Sequence, residues 1–417
     1  MLDATEVLLA FLLLGGVAAF LTKKSKSKRK SLRRKLFTRR RYARKSCWIR
    51  NTWRLRQTHG LYGKVLRTMP TDPKMFESYF RMSYDQFQLL LSMVKPHLTK
   101  ESHRALNPGI RLAITLRYLA SGMSQKDVAL NFLVGFTTAS NVIRETLGVL
   151  WHVLSPKYLP EPDTDMWLKT ARLNMDRYQV PLCCGFVDGK HVKCRNLPHH
   201  GTQLFNYKKE YSLVLLAVCD ANCKILAVDI GQYGSISDGG TLKNSEFGKK
   251  LFSGTLGMPG TTFLPDTQIP FEYYFIGDEA FPLHKHIQRP YGGKFLSFEK
   301  RVYNARLSRG RSSIERCFGI MCATWRILLN RIDGNESTIE GIIQACVTLH
   351  KFLIVEKQKN SQTERSSKRN HKSYNSVTEK ENKSKKQYNT ARDALKVWFN
   401  VINVIPWINK KVRQGKM

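Results

Sequence analysis

Two aspartates follow short apolar segments, and together they could hold a divalent cation. Asp188 follows the run Cys183–Val187, and Asp278 follows an aromatic and β-branched run over residues 271–276. Both runs are typical of buried strands. If each strand brings its aspartate to the same edge of a sheet, two carboxylates lie side by side and a divalent cation would have to neutralise them. Taken alone, each aspartate is more typical of an ordinary turn.

The sequence around Asp188 predicts a β-hairpin. The apolar run stops at Asp188 and Gly189 and then resumes as His191–Cys194. Because Asp-Gly pairs favour tight turns, this pattern indicates two strands with Asp188 at the rim of the sheet.

A third acid, Glu315, lies in a predicted helix. Apolar residues recur between Ile314 and Leu328 at steps of four, three, four and three, which indicates a helix with a continuous apolar stripe. Gly319 follows Glu315 by one turn on the same side of that helix. Its small size would let the helix approach a sheet edge. The alternative is an ordinary surface glutamate that pairs with Arg311 and Arg316.

Together these segments resemble the DDE endonuclease domain of PIF/Harbinger transposases and of the nucleases derived from Harbinger transposases. Similar sequence occurs in the same order over about residues 40–355 and again at the end of the chain, and such an ordered series is far more specific than any single motif. The matching segments are Val187–Val192, Ser235–Gly240, Gly277–Leu283, Arg289–Tyr291, Asn304–Arg311 and Ile314–Gly319.

The resemblance implies an α/β fold, in which a ribonuclease H-like mixed sheet with flanking helices follows an all-α, helix-turn-helix-like domain. It implies that Asp188, Asp278 and Glu315 are catalytic. It adds Asp238 to them as a metal-site residue, although an Asp-Gly pair alone is typical of a turn. The implied cofactor is a divalent cation, Mg²⁺ or Mn²⁺, because hard cations prefer carboxylate oxygens.

The implied function is a metal-dependent DNA endonuclease that hydrolyses phosphodiester bonds by a two-metal mechanism. Two cations would stabilise the attacking and leaving oxygens, with Asp188 bridging them and Asp278 and Glu315 each holding one. The alternative is a domesticated relative that binds DNA or chromatin without cleaving. The candidates for contact with the scissile phosphate or the flanking backbone are Lys190, His191, Arg311 and Arg316.

Composition also indicates a nucleic-acid partner. The chain of 417 residues has a formal net charge of +37. A chain this basic repels itself unless it meets a polyanion, and DNA is the usual one. An anionic membrane surface is the alternative partner, and the one we disfavour.

Residues 73–155 have helical periodicity with recognisable boundaries. A short helix, a turn at Gly135 and a longer helix form the outline of a helix-turn-helix. A plain helical cap on the catalytic domain is the alternative. If the outline is correct, Ser140, Asn141 and Arg144 would face the major groove. The predicted caps and boundaries are Ser83, Pro108, Gly122, Ser124, and Thr137 or Thr138.

The N-terminus combines an apolar run at residues 7–21 with a basic block. Between residues 23 and 56 there are 17 Lys or Arg and no acid, which favours a nuclear import signal or a DNA-binding arm and so a nuclear location, with the cytoplasm as a second compartment. The apolar run would span about 23 Å as a helix, short of the roughly 30 Å of a bilayer core. A membrane anchor through it is the alternative.

The resemblance implies a Myb-like DNA-binding protein as partner, whereas the sequence leaves homo-oligomer formation open.

The nine cysteines include no CxxC pair and are predicted to be reduced, mostly buried thiols.

The chain divides into six predicted segments. The segments are 1–22, apolar; 23–57, a basic arm without fold; 58–155, helix-turn-helix-like; 156–355, the DDE endonuclease domain; 356–391, a disordered basic linker; and 392–417, an amphipathic end that docks on the catalytic domain or binds a partner.

Overall fold

The computed structural model describes residues 51–68, 72–102, 105–198, 200–363 and 387–415. The predictions for the apolar run and for most of the basic arm lie outside these residues. The chain divides into a first unit that ends at Arg54, of which the structure describes α1 (Asn51–Arg54), and a second unit that begins at Leu55.

The described part of the second unit begins with seven helices, and most of their boundaries follow the predicted capping signals. Ser83 and Gln86 form a reciprocal capping box, and Gly122 ends its helix in the left-handed conformation that glycine adopts freely. The helices are α2 (Arg56–His59), α3 (Leu61–Thr68), α4 (Pro73–Phe80), α5 (Tyr84–Leu98), α6 (Pro108–Ser121), α7 (Gln125–Asn131) and α8 (Phe136–Tyr158).

Helices α7 and α8 form the predicted pair of a short and a long helix. Ser124 caps α7 through its hydroxyl, which accepts a hydrogen bond from the amide of Asp127. The predicted cap of α8 is wrong, because α8 begins at Phe136, before Thr137 and Thr138, and Gly135 precedes it without a side-chain cap.

The sheet has five strands in the order β3-β2-β1-β6-β7. β1 pairs with β2 antiparallel and with β6 parallel, so the sheet is mixed. With the helices that flank it, this confirms the predicted ribonuclease H-like fold. Sheet and helices share a main apolar core, and a second, smaller apolar cluster includes Val187, Leu216 and Phe275 of the sheet. The strands are β1 (Cys183–Lys193), β2 (Ser212–Cys219), β3 (Ile225–Tyr233), β6 (Tyr274–Ile276) and β7 (Ile287–Gln288), and a separate pair comprises β4 (Thr262–Phe263) and β5 (Pro270–Phe271).

The hairpin predicted around Asp188 is wrong. β1 is one continuous strand of 11 residues, and Asp188 lies in its middle, opposite Ala217 of β2. Eight consecutive residues of β1 pair with β2, and this ladder overrides the local turn preference of Asp188 and Gly189.

Five further helices flank the sheet in the described residues, and two of them differ from the predictions. The helix that carries Glu315 is much longer than its apolar stripe indicated. The predicted linker does not begin at Glu356, because the following helix continues to Thr363. The helices are α9 (Thr164–Tyr178), α10 (Asp238–Asn244), α11 (Glu246–Ser253) and α12 (Phe298–Thr324), followed by a 3₁₀ turn (Arg326–Leu329) and α13 (Glu336–Thr363).

By length and composition, one helix of the described chain could cross a membrane. It comprises Glu336–Lys359, and most of its apolar part is buried within the protein. Ile339, Ile343 and Phe352 of this helix belong to the main core, so packing accounts for its apolar character.

The C-terminal segment docks on α12, as one of the two predicted alternatives had it. Arg306 of α12 is fully buried and donates hydrogen bonds to the carbonyl oxygens of Asn403 and Gln179. Trp398 and Phe399 are buried in the main core. The segment comprises α14 (Gln387–Val397), a π-helical turn (Trp398–Ile402) and α15 (Pro406–Arg413).

Close packing between α12 and β1 depends on Gly310. A Cβ atom at this position would lie 2.5 Å from Cε1 of Phe186, which is far inside van der Waals contact. Gly319, which the sequence suggested for a close approach, has no heavy atom within 4 Å of such a Cβ. Helix α12 therefore packs against the sheet at Gly310, which is nearer to the start of the helix than the predicted position at Gly319.

We predict that Gly310→Ala lowers the free energy of unfolding by about 1–3 kcal/mol, because the added methyl group overpacks the contact with Phe186. Gly319→Ala on the same helix is the matched control. It should be neutral or stabilising by up to about 1 kcal/mol, since alanine favours the helix. Urea unfolding measures both, and equal effects of the two substitutions would contradict the close contact at Gly310.

Candidate metal centre

Three aspartates that are far apart in the sequence meet at one point. Asp188, Asp238 and Asp278 each offer a carboxylate oxygen, and these oxygens lie within 4.8 Å of one another. All three side chains are half-buried. The structure thus brings together three of the four acids that the sequence indicated for a metal site.

The parallel pairing of β1 with β6 places two of these acids side by side. Phe186 pairs with Ile276, and each aspartate follows two residues later. Asp188 and Asp278 therefore occupy equivalent positions beyond the last paired residues, at the point where β6 ends. Because side chains alternate along a strand, Asp188 lies on the same face as Phe186, which is the face that α12 covers at Gly310.

Glycines allow the third acid to approach. Asp238 is the first residue of α10 and follows the N-cap Ser237. A Cβ atom at Gly189 would lie 2.1 Å from Oδ1 of Asp238, and one at Gly239 would lie 2.6 Å from the carbonyl oxygen of Ala280. A side chain at either position would push apart the segments that carry the aspartates. Glycine follows Asp188 and Asp238 because it lets these segments lie close together.

Hydrogen bonds orient two of the carboxylates and leave the third without a partner. Oδ1 of Asp188 accepts a hydrogen bond from the amide of Gly189 at 3.0 Å, and Oδ1 of Asp278 accepts one from the amide of Ala280 at 2.9 Å. Oδ1 of Asp238 is buried and has no hydrogen-bond partner among the described residues. Leaving a buried charged oxygen unpaired is costly, and a cation would satisfy it.

The electrostatics of the cluster also fit a cation. The pKa of Asp188 is raised to about 7, chiefly by burial. The charge of Arg311 and the amide of Gly189 lower this pKa, whereas the charges of Asp278 and Asp238 raise it. Burial and then the charge of Asp278 raise the pKa of Asp238, against the charge of Lys208. Without a cation, Asp188 is therefore partly protonated at pH 7. Three carboxylates in one half-buried site are a donor set that Mg²⁺ or Mn²⁺ accepts.

Glu315 faces the same cleft but does not join the three aspartates. The cleft has a volume of about 520 Å³, and Asp188, Asp238 and Glu315 all line it. The Glu315 side chain is 52% exposed and forms an ion pair with Arg311 at 2.7 Å. The surface ion pair that the sequence allowed is therefore present, and its glutamate lines the cleft.

The predicted phosphate contacts divide into two groups. Lys190 and His191 line the cleft, and Arg311 lies close enough to Asp188 to lower its pKa. Arg316 is not among the cleft residues. Arg316 is exposed, and its guanidinium donates hydrogen bonds to the hydroxyl of Tyr178 and the sulfur of Cys223. Its predicted contact with DNA stays a prediction.

The residues predicted for the major groove lie in the first three turns of α8. Asn141 and Arg144 are exposed and Ser140 is half-buried, whereas Val142 and Ile143 between them are buried. All three polar residues are therefore accessible on one part of the helix surface, which is what contact with DNA requires. The contact itself stays a prediction.

The sequence analysis missed two cleft residues. Tyr207 and Lys208 lie in the loop between β1 and β2 and line the cleft beside Asp188 and Asp238. The available signal was an aromatic residue followed by two lysines, Tyr207-Lys208-Lys209, between two predicted strands. Aromatic residues interleaved with basic ones are typical of nucleic-acid contacts.

The eight cysteines in the described residues are all buried and unpaired. This agrees with the prediction of reduced, mostly buried thiols.

Comparison with known proteins gives the same assignment as the geometry. Residues 187–351 match the family described as DDE superfamily endonuclease, and this range contains Asp188, Asp238, Asp278 and Glu315. The chain is 28% identical to the protein named ALP1-like from Arabidopsis thaliana over 304 residues, which cover 68% of this chain and 71% of that protein.

It is also 28% identical to Antagonist of Like Heterochromatin Protein 1 from the same plant over 299 residues, which cover 69% of this chain and 75% of that protein. No solved structure matches the chain with significance. The resemblance to the PIF/Harbinger-derived nucleases, with their DDE superfamily endonuclease domain, is confirmed.

The raised pKa of Asp188 predicts how stability depends on pH. Because its pKa is 3.8 in the unfolded chain and about 7 in the folded protein, the folded state binds more protons between these values. The free energy of unfolding of the metal-free protein should therefore fall as the pH rises from about 4 to 7, by up to about 4 kcal/mol from this residue.

Asp188→Asn removes this ionisation. In the presence of a chelator, we expect the variant to be more stable than the wild type at pH 8 and similar to it at pH 4.5, as measured by chemical unfolding. Asp165→Asn, which replaces an exposed acid in the first turn of α9, is the control and should follow the wild type. If the free energy of unfolding depends on pH in the same way in the wild type and in Asp188→Asn, the pKa of Asp188 is not raised in the folded protein.

Proposed function

We propose that this chain, whose residues 187–351 form a domain of the DDE superfamily endonucleases, is a metal-dependent endonuclease that hydrolyses phosphodiester bonds of DNA. The observation that carries the proposal is the cluster of Asp188, Asp238 and Asp278, in which a buried carboxylate oxygen has no partner among the described residues. Such an arrangement is unfavourable for an isolated protein and suits a bound cation.

The three aspartates would hold the cation, and Glu315 is the fourth candidate ligand. A bound Mg²⁺ or Mn²⁺ would neutralise charge on the phosphate and lower the pKa of the attacking water. Glu315 takes part only after its ion pair with Arg311 opens, because its carboxylate is held there in this structure. A phosphate that attracts Arg311 would release Glu315, which couples arrival of the substrate to completion of the site.

Basic side chains beside the acids support a phosphate-bearing substrate. Lys190 and Lys208 line the same cleft as Asp188 and Asp238, and Arg311 lies next to Asp188. The net charge of +37 provides attraction over a longer range. Cations close to an acidic metal site are expected where a polyanion must approach carboxylates that would otherwise repel it.

A second candidate function is a protein that binds DNA or chromatin without cleaving. Two observations favour it. Glu315 lies outside the aspartate cluster in this structure, and one relative carries the name Antagonist of Like Heterochromatin Protein 1. Both functions imply a nuclear location, for which the basic block at residues 23–56 is the motivating feature. The two functions differ only in whether the acidic residues take part in cleavage of DNA.

A plasmid-nicking assay with Mg²⁺ or Mn²⁺ tests the enzymatic proposal. We expect the wild type to nick supercoiled DNA and Asp278→Asn to lose at least about 100-fold in rate, because one ligand oxygen and one negative charge are removed from the cation site. Asp165→Asn should cut like the wild type.

The assay also separates the two candidate functions. Nicking by the wild type that is absent from Asp278→Asn supports the endonuclease. If neither protein nicks DNA with either cation while both bind it equally, the non-cleaving function is correct. Equal nicking by both would assign the activity to a contaminant and remove the enzymatic proposal.

A further inference from the structure

The loop between β1 and β2 has a rigid tip that depends on Asn206. This side chain is only 3% exposed. Its Nδ2 donates a hydrogen bond to Oγ of Ser212 at 2.9 Å, and its Oδ1 accepts hydrogen bonds from the amides of Lys208 and Glu210 at 2.9 and 3.1 Å. A buried amide that is bonded on both sides fixes the turn around residues 206–210.

The backbone at the tip reinforces this geometry. The amide of Asn206 donates to the carbonyl oxygen of Glu210 at 2.8 Å, and Phe205 packs against Tyr211 with ring centroids 5.4 Å apart. Lys209 adopts a positive φ of 61°, which is uncommon for a residue with a side chain. The turn is therefore specified by its own contacts, and it determines where residues 207 and 208 project.

Tyr207 is held at the cleft with most of its surface exposed to solvent. It is 78% exposed, although an aromatic ring gains free energy from burial. The ring meets the edge of His191 at a centroid distance of 5.6 Å, and the Lys208 ammonium lies 5.3 Å from its centroid. A fixed aromatic ring beside cations and the aspartate cluster is arranged to bind something that enters the cleft.

We infer that Tyr207 stacks on an unpaired DNA base next to the scissile phosphate, while Lys208 and Lys190 contact the neighbouring phosphates. This inference rests on the proposed endonuclease function and specifies its substrate. A flat ring in the wall of a cleft reaches the face of a base only when that base has left the duplex stack. The substrate is thus DNA with a single-stranded or frayed nucleotide at the cleavage site, and Tyr207 is a positioning residue.

The contact is chemically specific enough to test with matched variants. Tyr207→Phe retains the ring and removes the hydroxyl, whereas Tyr207→Ala removes both. Lys208→Ala removes a neighbouring charge and leaves the ring in place. Because Tyr207 is mostly exposed, its replacement should leave the melting temperature unchanged, which thermal unfolding checks for each variant.

The first measurement uses metal-free protein and a short single-stranded oligonucleotide that contains 2-aminopurine, with the matching duplex for comparison. We expect Tyr207→Ala to bind the single strand about 5- to 100-fold more weakly and to lose the stacking-dependent quenching of 2-aminopurine. Tyr207→Phe should behave like the wild type. Binding to the duplex should change less than about twofold in both variants, because paired bases do not expose a face to the ring.

Lys208→Ala provides the electrostatic reference. It should weaken binding of the single strand and the duplex alike and reduce the salt dependence by about one counterion. If Tyr207→Ala shows the same pattern, or if Tyr207→Phe is as impaired as Tyr207→Ala, stacking is not the role of this ring and the inference is wrong.

The second measurement separates this inference from the proposed function. Cleavage with Mn²⁺ is compared on a duplex with an unpaired nucleotide and on a fully paired duplex. We expect Tyr207→Ala to lose activity mainly on the unpaired substrate, through an increased KM. If all variants cleave both substrates like the wild type, the stacking inference fails and the endonuclease stands. If the wild type cleaves neither while the binding pattern holds, the endonuclease fails and Tyr207 still binds unpaired bases.

Discussion

The structure is organised around the forced proximity of three like-charged carboxylates. The oxygens of Asp188, Asp238 and Asp278 lie within 4.8 Å of one another in a half-buried site, where repulsion and lost hydration both oppose ionisation. Such an arrangement persists only because the surrounding fold determines it. The parallel register of β1 with β6 aligns two of the acids, and Gly189 lets the third approach where any side chain would collide with it. The fold thus holds the three aspartates in an energetically unfavourable arrangement, which a bound cation would stabilise.

The contacts of α12 support the position of the fourth acid, Glu315. Helix α12 contacts β1 at Gly310 and holds a fully buried Arg306, whose guanidinium bonds to Asn403 of the C-terminal segment and to Gln179 after α9. Each buried donor of this kind stabilises the helix only while its acceptors are in place. The end of the chain therefore contributes to the position of Glu315, even though it lies far from the acids in sequence and lines no part of the cleft.

The sequence predicted the residue types of the site more accurately than their arrangement in space. The residue types that bind cations, and the apolar runs that precede them, are local features, so the grouping of Asp188 with Asp278 followed from the pattern. The hairpin at Asp188 was wrong because a long ladder with β2 outweighs the turn preference of Asp-Gly, and such pairing is not visible locally. The pairing of Glu315 with Arg311 was visible at a spacing of four residues. Tyr207 was missed because its exposure at the cleft depends on tertiary contacts of the loop that holds it.

Folding builds a cation site from Asp188, Asp238 and Asp278, and anomalous diffraction from crystals grown with Mn²⁺ would detect a cation bound there. We expect a manganese peak bonded to oxygens of all three aspartates at about 2.0–2.3 Å, in the range of metal–oxygen bonds, and no such peak at this point in Asp238→Asn crystals. Manganese that binds only elsewhere on the protein, or an aspartate cluster that stays free of it at saturating concentration, would show that these aspartates do not form a cation site.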